Sequence, residues 1–146
     1  MNQELAQKLY VVLSKAYRTA SDADKRQIKG YGLNPTEFAV LELLFHKGRQ
    51  PIQQLASKIL LTSGSMTYVV SQLEKKGLIR RVVSEEDKRV FYAELTDGGA
   101  AWIKDMFPAH KEFLHHLMGG ISEEEAETLI RLLKHLGKAM EEEVLL

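Results

Sequence analysis

Apolar side chains recur at three- and four-residue intervals from the start of the chain. Leu5, Leu9, Val12, Ala16 and Ala20 follow that spacing with no Pro or Gly among them, which predicts an amphipathic helix from Leu5 to about Ile28. Gly30-Tyr31-Gly32 ends it. Asn34-Pro35-Thr36-Glu37 then opens a second helix, with Asn34 as the cap, Pro35 at the first helical position and Glu37 in the first turn. This helix carries Phe38, Leu41, Leu44 and Phe45, stops at Gly48, and is apolar on nearly all sides, so it belongs in the middle of the domain.

After Gln50-Pro51 a short pattern of Ile52, Leu55, Ala56 and Ile59 leads through Leu60-Leu61-Thr62 into another, from about Ser63 to Lys76. Two helices joined by so short a turn have the geometry of a helix-turn-helix. Met66, Val69, Val70 and Leu73 form the inward stripe of the second, and Ser65, Thr67, Tyr68, Ser71, Gln72 and Lys75 lie on its other side. Leu78–Ser84 and Val90–Leu95 are β-branched and aromatic, and they flank the charged run Glu85–Arg89, as the arms of a β-hairpin flank its tip. Helical periodicity resumes at Thr96-Asp97 with Ile103, Met106, Phe107, His110, Phe113, Leu114 and Leu117. The stripe continues across Pro108, which predicts a kink rather than a break. Gly119-Gly120 separates this helix from a last one, capped by Ser122 with Glu125 three residues on, bearing Leu129, Ile130, Leu133, Leu136, Met140 and Val144. The expected fold is mainly α with a small β-hairpin wing. It divides into an N-terminal helix (1–33), a winged helix-turn-helix (34–97) and C-terminal helices (98–146).

Charge changes this picture more than composition does. The 146 residues hold 20 Lys+Arg against 20 Asp+Glu, a neutral total that argues against binding nucleic acid through bulk positive charge. Resolved along the chain, residues 47–89 hold 9 basic and 4 acidic side chains and residues 97–146 hold 5 and 10. The middle is basic and the C-terminal third acidic. A helix-turn-helix followed by a hairpin is built to place one helix in the major groove and the hairpin tip on the flanking DNA. Ser65, Thr67 and Gln72 can donate and accept at base edges or phosphates, Tyr68 can reach a phosphate or a thymine methyl, and Lys75 and Lys76 add charge. Arg80, Arg81, Lys88 and Arg89 put four cations in or beside the hairpin, as a narrow, strongly negative minor groove requires.

Other chemistries find little support. The absence of cysteine excludes disulfides, thiolate–zinc sites and thiol redox sensing. No apolar run approaches the roughly 20 residues of a membrane span, and no signal peptide is legible, so a cytoplasmic protein is expected. Gly98-Gly99 and Gly119-Gly120 are turn or helix-end signals rather than phosphate loops, and Glu123-Glu124-Glu125 suits the positive end of a helix dipole. Neither an enzyme nor a cofactor is expected.

The run Leu73-Glu74-Lys75-Lys76-Gly77-Leu78-Ile79-Arg80-Arg81, then Asp87-Lys88-Arg89, then Leu95-Thr96 with Gly99 three residues on, resembles the signature of the MarR family of bacterial transcriptional regulators. The resemblance implies that Arg89 enters the minor groove while Asp87 braces it, and that Ser63, Ser65, Thr67, Tyr68 and Gln72 sit on the recognition helix. With Lys75, Arg81 and Lys88 these form the expected contact set on a pseudo-palindromic double-stranded operator. It also implies a homodimer joined through the N- and C-terminal helices. The apolar stripes there agree, being longer than a winged-helix core of roughly 65 residues can cover.

The same resemblance implies an effector, a small phenolic or quinone-like compound that releases a repressor from DNA. The family's pocket lies where the first, second and fifth helices meet the winged domain, which makes Tyr17, Phe45, His46, Phe107 and His110 the candidate ligand contacts. Asn34–Gly48 and Ser63-Gly64-Ser65 are similar to the quinone- and catechol-responsive branch. Tyr10 falls near the place of the reactive Cys of peroxide-sensing members, so thiol oxidation is not the trigger. Two alternatives stand beside this reading. One is a winged helix that binds proteins and no DNA. The other is a metal-responsive regulator, since Glu42/His46 and Glu112/His116 are spaced four apart. Against the latter, Leu114 stands four after His110, and the adjacent His115 and His116 are expected to diverge, so no metal site is assigned.

Overall fold

The Asn2 side chain accepts a hydrogen bond from the Leu5 backbone N–H at 2.7 Å and so starts α1, Gln3–Lys29. The structure is a computed structural model and describes residues 1–59 and 65–145. In α1 only Ile28 is buried, while Leu5, Leu9, Tyr10, Val12 and Tyr17 are exposed. A helix with this much uncovered apolar surface leans on the domain only at its C-terminal end.

The second helix, α2, runs Pro35–Lys47 and begins with the expected cap made reciprocal: Asn34 accepts from the Glu37 N–H at 2.8 Å, and Glu37 accepts from the Asn34 N–H at 3.1 Å. Its Phe38, Val40, Leu41 and Leu44 are buried, which confirms the central position. Tyr31, Phe38 and Trp102 surround one another with ring centroids 6.0–6.4 Å apart.

Gln50–Pro51 forms a short strand, β1, that the hydrophobic pattern did not predict. After it come α3, Ile52–Lys58, and α4, Met66–Lys75, with Ser65 as the residue before the first turn of α4. The expected connection Leu60-Leu61-Thr62, and Ser63 and Gly64 with it, lie outside the described residues. Val69, Val70 and Leu73 of α4 are buried and Met66 packs against the core, as the stripe required. Ala56 of α3 is exposed, so that helix buries a narrower stripe than its apolar pattern suggested, centred on Leu55.

β2, Ile79–Val83, and β3, Phe91–Leu95, make the hairpin, and β1 joins its far side to give a three-stranded antiparallel sheet in the order β1-β3-β2. Ala93 is the hinge of the register, facing Gln50 on one side and Arg81 on the other, and it is fully buried. α5, Asp97–Met118, continues through Pro108, and α6, Glu123–Val144, opens with a reciprocal Ser122/Glu125 cap.

Two compact units result, residues 1–111 and residues 112–146, with the division falling inside α5. In the second unit no residue of α6 is buried, and Leu129, Ile130, Leu132, Leu133, Met140 and Val144 are exposed. Among the described residues no helix is long and apolar enough to cross a membrane.

A start to α5 is built into the motif that follows the wing. Thr96 donates its hydroxyl to the Gly77 carbonyl at 2.6 Å and accepts from the Gly99 N–H at 2.9 Å, while its own N–H reaches the Leu78 carbonyl at 3.1 Å. A Cβ on Gly99 would stand 1.9 Å from the Leu78 carbonyl oxygen. Thr96 and Gly99 are therefore packing residues that fix α5 against the end of the helix-turn-helix.

Candidate nucleic-acid interface and helix-lined cleft

Helix α4 presents Ser65, Thr67, Tyr68 and Lys75 to solvent, with Gln72 half-buried beside them. Helical spacing puts these side chains opposite the stripe of Val69, Val70 and Leu73, whose burial sets the rotation of the helix. Ser63 lies outside the described residues.

The hairpin tip holds Asp87 and Arg89 as a tight pair. Arg89 donates from its backbone N–H at 3.0 Å and from Nε at 3.1 Å to Asp87 Oδ1, and from Nη2 at 3.2 Å to Oδ2. These bonds, the side-chain ones first, hold the Asp87 carboxyl below its usual range. The Arg89 side chain nonetheless stays 90% exposed. Asp87 thus fixes the direction of a guanidinium that remains free to meet a groove. Lys88 beside it is exposed, and the Ser84 hydroxyl supports the turn by accepting from the N–H groups of Glu86 and Asp87, both at 3.3 Å.

Arg80 and Arg81 of the wing, and Lys76 at the end of α4, are paired with carboxylates. Arg81 Nε donates to Glu74 Oε1 at 2.6 Å and its Nη2 to the Ser71 hydroxyl at 3.2 Å. Arg80 pairs with Glu94, its register partner on β3, at 2.6 Å. Lys76 reaches back to Glu37 at 2.7 Å and to the Gly32 carbonyl at 3.2 Å. Arg81 is expected to lie on DNA and Lys76 to add charge at the helix end; in the chain without DNA both are paired with carboxylates, Glu74 and Glu37, which stand within their reach. Arg49, which composition alone did not single out, stacks over the Tyr92 ring at 4.7 Å at the base of the sheet.

A cleft of about 380 Å³ opens between the C-terminal half of α1, α2, the end of α3 and α5. Ile28, Pro35, Phe38, Leu43 and Ile59 give it apolar walls, and Asp24, Glu42, His46, Lys47, Lys58 and His110 bring polar groups to it. His110 is 6% exposed and stacks at a tilt on Phe38, with centroids 4.6 Å apart. Its Nε2 lies 3.7 Å from Asp24 Oδ1, an oxygen that is buried with no hydrogen-bond partner among the described residues. Burial pushes the Asp24 carboxyl above its usual range, and the charge of His110 works against that shift.

Of the five expected ligand contacts, His46 and His110 line this cleft and three do not. Tyr17 is exposed farther up α1. Phe45 and Phe107 belong to a separate aromatic group with the His46 ring, whose centroid is 5.3 Å from Phe45 and 4.8 Å from Phe107. Asp24 and Glu42 were missed as cleft residues. The signal for Asp24 was present, since it stands four residues before Ile28, the one buried side chain of α1.

In the second unit the donor atoms of Glu112, His115 and His116 come within 4.8 Å of one another. The adjacent histidines, expected to diverge, place their rings 5.7 Å apart, and His116 Nδ1 lies 2.9 Å from the Glu112 backbone carbonyl oxygen. All three are exposed.

A winged helix with a braced arginine at its tip and a polar helix face is a DNA-reading fold, and comparison with known proteins bears this out. The MarR family profile matches residues 33–91. The HTH-type transcriptional regulator MhqR of Bacillus subtilis is 49% identical over 134 residues, covering 92% of this chain and 92% of that protein. YkoM of the same organism, an uncharacterized HTH-type transcriptional regulator, is 42% identical over 134 residues, covering 92% and 87%. Among solved structures, Sco3205 of Streptomyces coelicolor, a MarR family regulator in complex with DNA, superposes with a TM-score of 0.81 at 21% identity, covering 95% of this chain and 89% of that one. The chain belongs to the MarR family and is a DNA-binding transcriptional regulator.

Proposed function

We propose that the protein is a homodimeric repressor, working in the cytoplasm, that leaves a pseudo-palindromic operator when a small phenolic or quinone-like compound enters the cleft. Ser63, Ser65, Thr67, Tyr68, Gln72 and Lys75 read the major groove, while Arg89, braced by Asp87, enters the minor groove with Lys88 beside it, and Arg81 completes the contact set once the chain is docked on its operator. The exposed apolar side chains of α1 and of α6 support dimerisation through residues 1–33 and 98–146, since a monomer gains nothing from leaving such stripes in water.

The observation that carries the effector reading is Asp24, which lines a cleft of about 380 Å³ with mixed apolar and polar walls and whose buried Oδ1 has no hydrogen-bond partner among the described residues. A neutral aromatic hydroxyl satisfies it by donating a hydrogen bond, and the ring lies against Phe38 and Ile28. Lys47 and Lys58 line the cleft beside Asp24 and Glu42, so an aromatic carboxylate serves as the comparison that separates a hydroxyl-specific site from one that takes any single ring. The test uses a labelled duplex selected by the protein from a random library, with phenol, catechol, hydroquinone, benzoquinone and benzoate added in turn. Release by the hydroxylated rings is expected, at lower concentration than any release by benzoate. Retention of the duplex with every phenol and quinone would remove the effector from this reading, and a monomeric mass by light scattering at micromolar concentration would remove the dimer.

A further inference from the structure

Arg81 and Arg89 are both wing arginines with carboxylate partners, yet the two pairs are built differently. Asp87 sits two residues from Arg89 and leaves its guanidinium projecting, 90% exposed. Glu74 lies on the recognition helix and draws Arg81 in against α4, where Nε meets Glu74 Oε1 at 2.6 Å and Nη2 meets Ser71 at 3.2 Å. Both side chains of that pair keep only about a third of their exposure, 35% and 34%. Glu74 is also the one acidic residue of α4, and it stands three residues after Ser71 and seven after Thr67, at the border of the helix's outward polar face.

We propose that Glu74 is a specificity-determining residue of the DNA interface, which acts by withholding Arg81 from phosphates. A guanidinium held by a charge-assisted bond and a hydroxyl gains little by exchanging that carboxylate for a phosphate on an arbitrary duplex. The cost of separating the pair falls on every encounter, while only a fully docked recognition helix can repay it. Non-specific binding comes almost wholly from phosphate neutralisation, so removing one arginine from that sum lowers it directly. The pair thereby widens the ratio between operator and bulk DNA without touching a base.

The experiment measures binding of the full chain to a random-sequence duplex of 30 base pairs across a salt series. Glu74→Gln keeps an acceptor for Arg81 but no charge to hold it. The expected result is a salt slope steeper by about 0.9 for each subunit on the duplex and a gain of roughly eightfold per subunit at 0.1 M salt, the value one added counterion release gives. That gain should vanish when Glu74→Gln is combined with Arg81→Gln. Ser71→Ala, which loosens the same arginine without altering protein charge, should shift non-specific affinity in the same direction by a smaller factor. An equal gain from Glu74→Gln in both arginine backgrounds would mean that bulk charge alone is at work, and no gain would mean that the pair only joins helix to strand. Either result overturns the proposal.

Discussion

Lys76 Nζ lies 2.7 Å from Glu37 Oε2 and so joins the end of the recognition helix to the first turn of α2. The partners are unequal, with the Glu37 side chain 5% exposed and that of Lys76 37%. Glu37 is also half of the helix cap with Asn34. Removing Lys76 strands a buried carboxylate, whereas neutralising Glu37 leaves a lysine that can turn to water. Lys76→Met is therefore expected to cost about 1–3 kcal/mol in urea unfolding, and Glu37→Gln distinctly less. The reverse order would show that the pair is a surface contact.

Gly99 is required by a close approach. Alanine there puts a Cβ 1.9 Å from the Leu78 carbonyl oxygen, which is backbone and cannot step aside, while at Gly98 the nearest atoms are 3.8 Å away. Gly99→Ala should lose about 1–3 kcal/mol of stability or more, and Gly98→Ala should be neutral or gain up to about 1 kcal/mol. Thermal unfolding of the two variants decides the matter.

The wing arginine offers a test that separates binding from folding. Arg89→Ala should weaken operator binding and leave the oligomeric mass unchanged, and Asp87→Asn should weaken it to a smaller extent by freeing the guanidinium. Because the Asp87 carboxyl is held below its usual value of 3.8, its bond to Arg89 persists throughout the neutral range and down through that value. The pair is lost only as pH falls through the still lower value of the folded protein. The Arg89 Nε–H resonance followed against pH should move only in strong acid, and movement between pH 5 and 7 would contradict the pairing.

Asp24 has the opposite sign. Its carboxyl is raised above 3.8 by burial, so the ionised form is disfavoured in the folded chain, and stability is lost as pH rises from the unfolded value through the folded one. Asp24→Asn should then stabilise the protein at pH 7 and have no such effect at pH 3, read from urea midpoints at the two pH values. A bound aromatic hydroxyl that donates to Asp24 would favour the carboxylate, so hydroquinone binding should tighten as Asp24 ionises, and in the asparagine variant it should be weaker and lose that pH dependence.

Much of the fold was written in spacing. Asn34, Pro35 and Glu37 mark a helix start by chemistry that operates within one turn, and Val69, Val70 and Leu73 mark a buried face by period alone. β1 escaped because two residues carry no period, and its pairing depends on Ala93, some forty positions away. The hairpin tip was legible, since Asp87 and Arg89 are near neighbours in sequence. The pairing of Arg81 was not legible because its partners Glu74 and Ser71 belong to another element, and charge counting treats a paired arginine and an unpaired one alike. For Asp24 the inward placement was legible from its spacing to Ile28, whereas its closeness to His110 across the cleft carries no local signal.

The sheet has a property that follows from its outer strands. One edge is β1, two residues long and containing Pro51, which has no N–H to offer; the other is β2, which carries Arg80 and Arg81. Neither edge invites another chain to add a strand, the first for want of donors and length and the second through charge. Molecules gathered at high local concentration along one stretch of chromosome can therefore stand side by side without their wings fusing into a continuous ribbon.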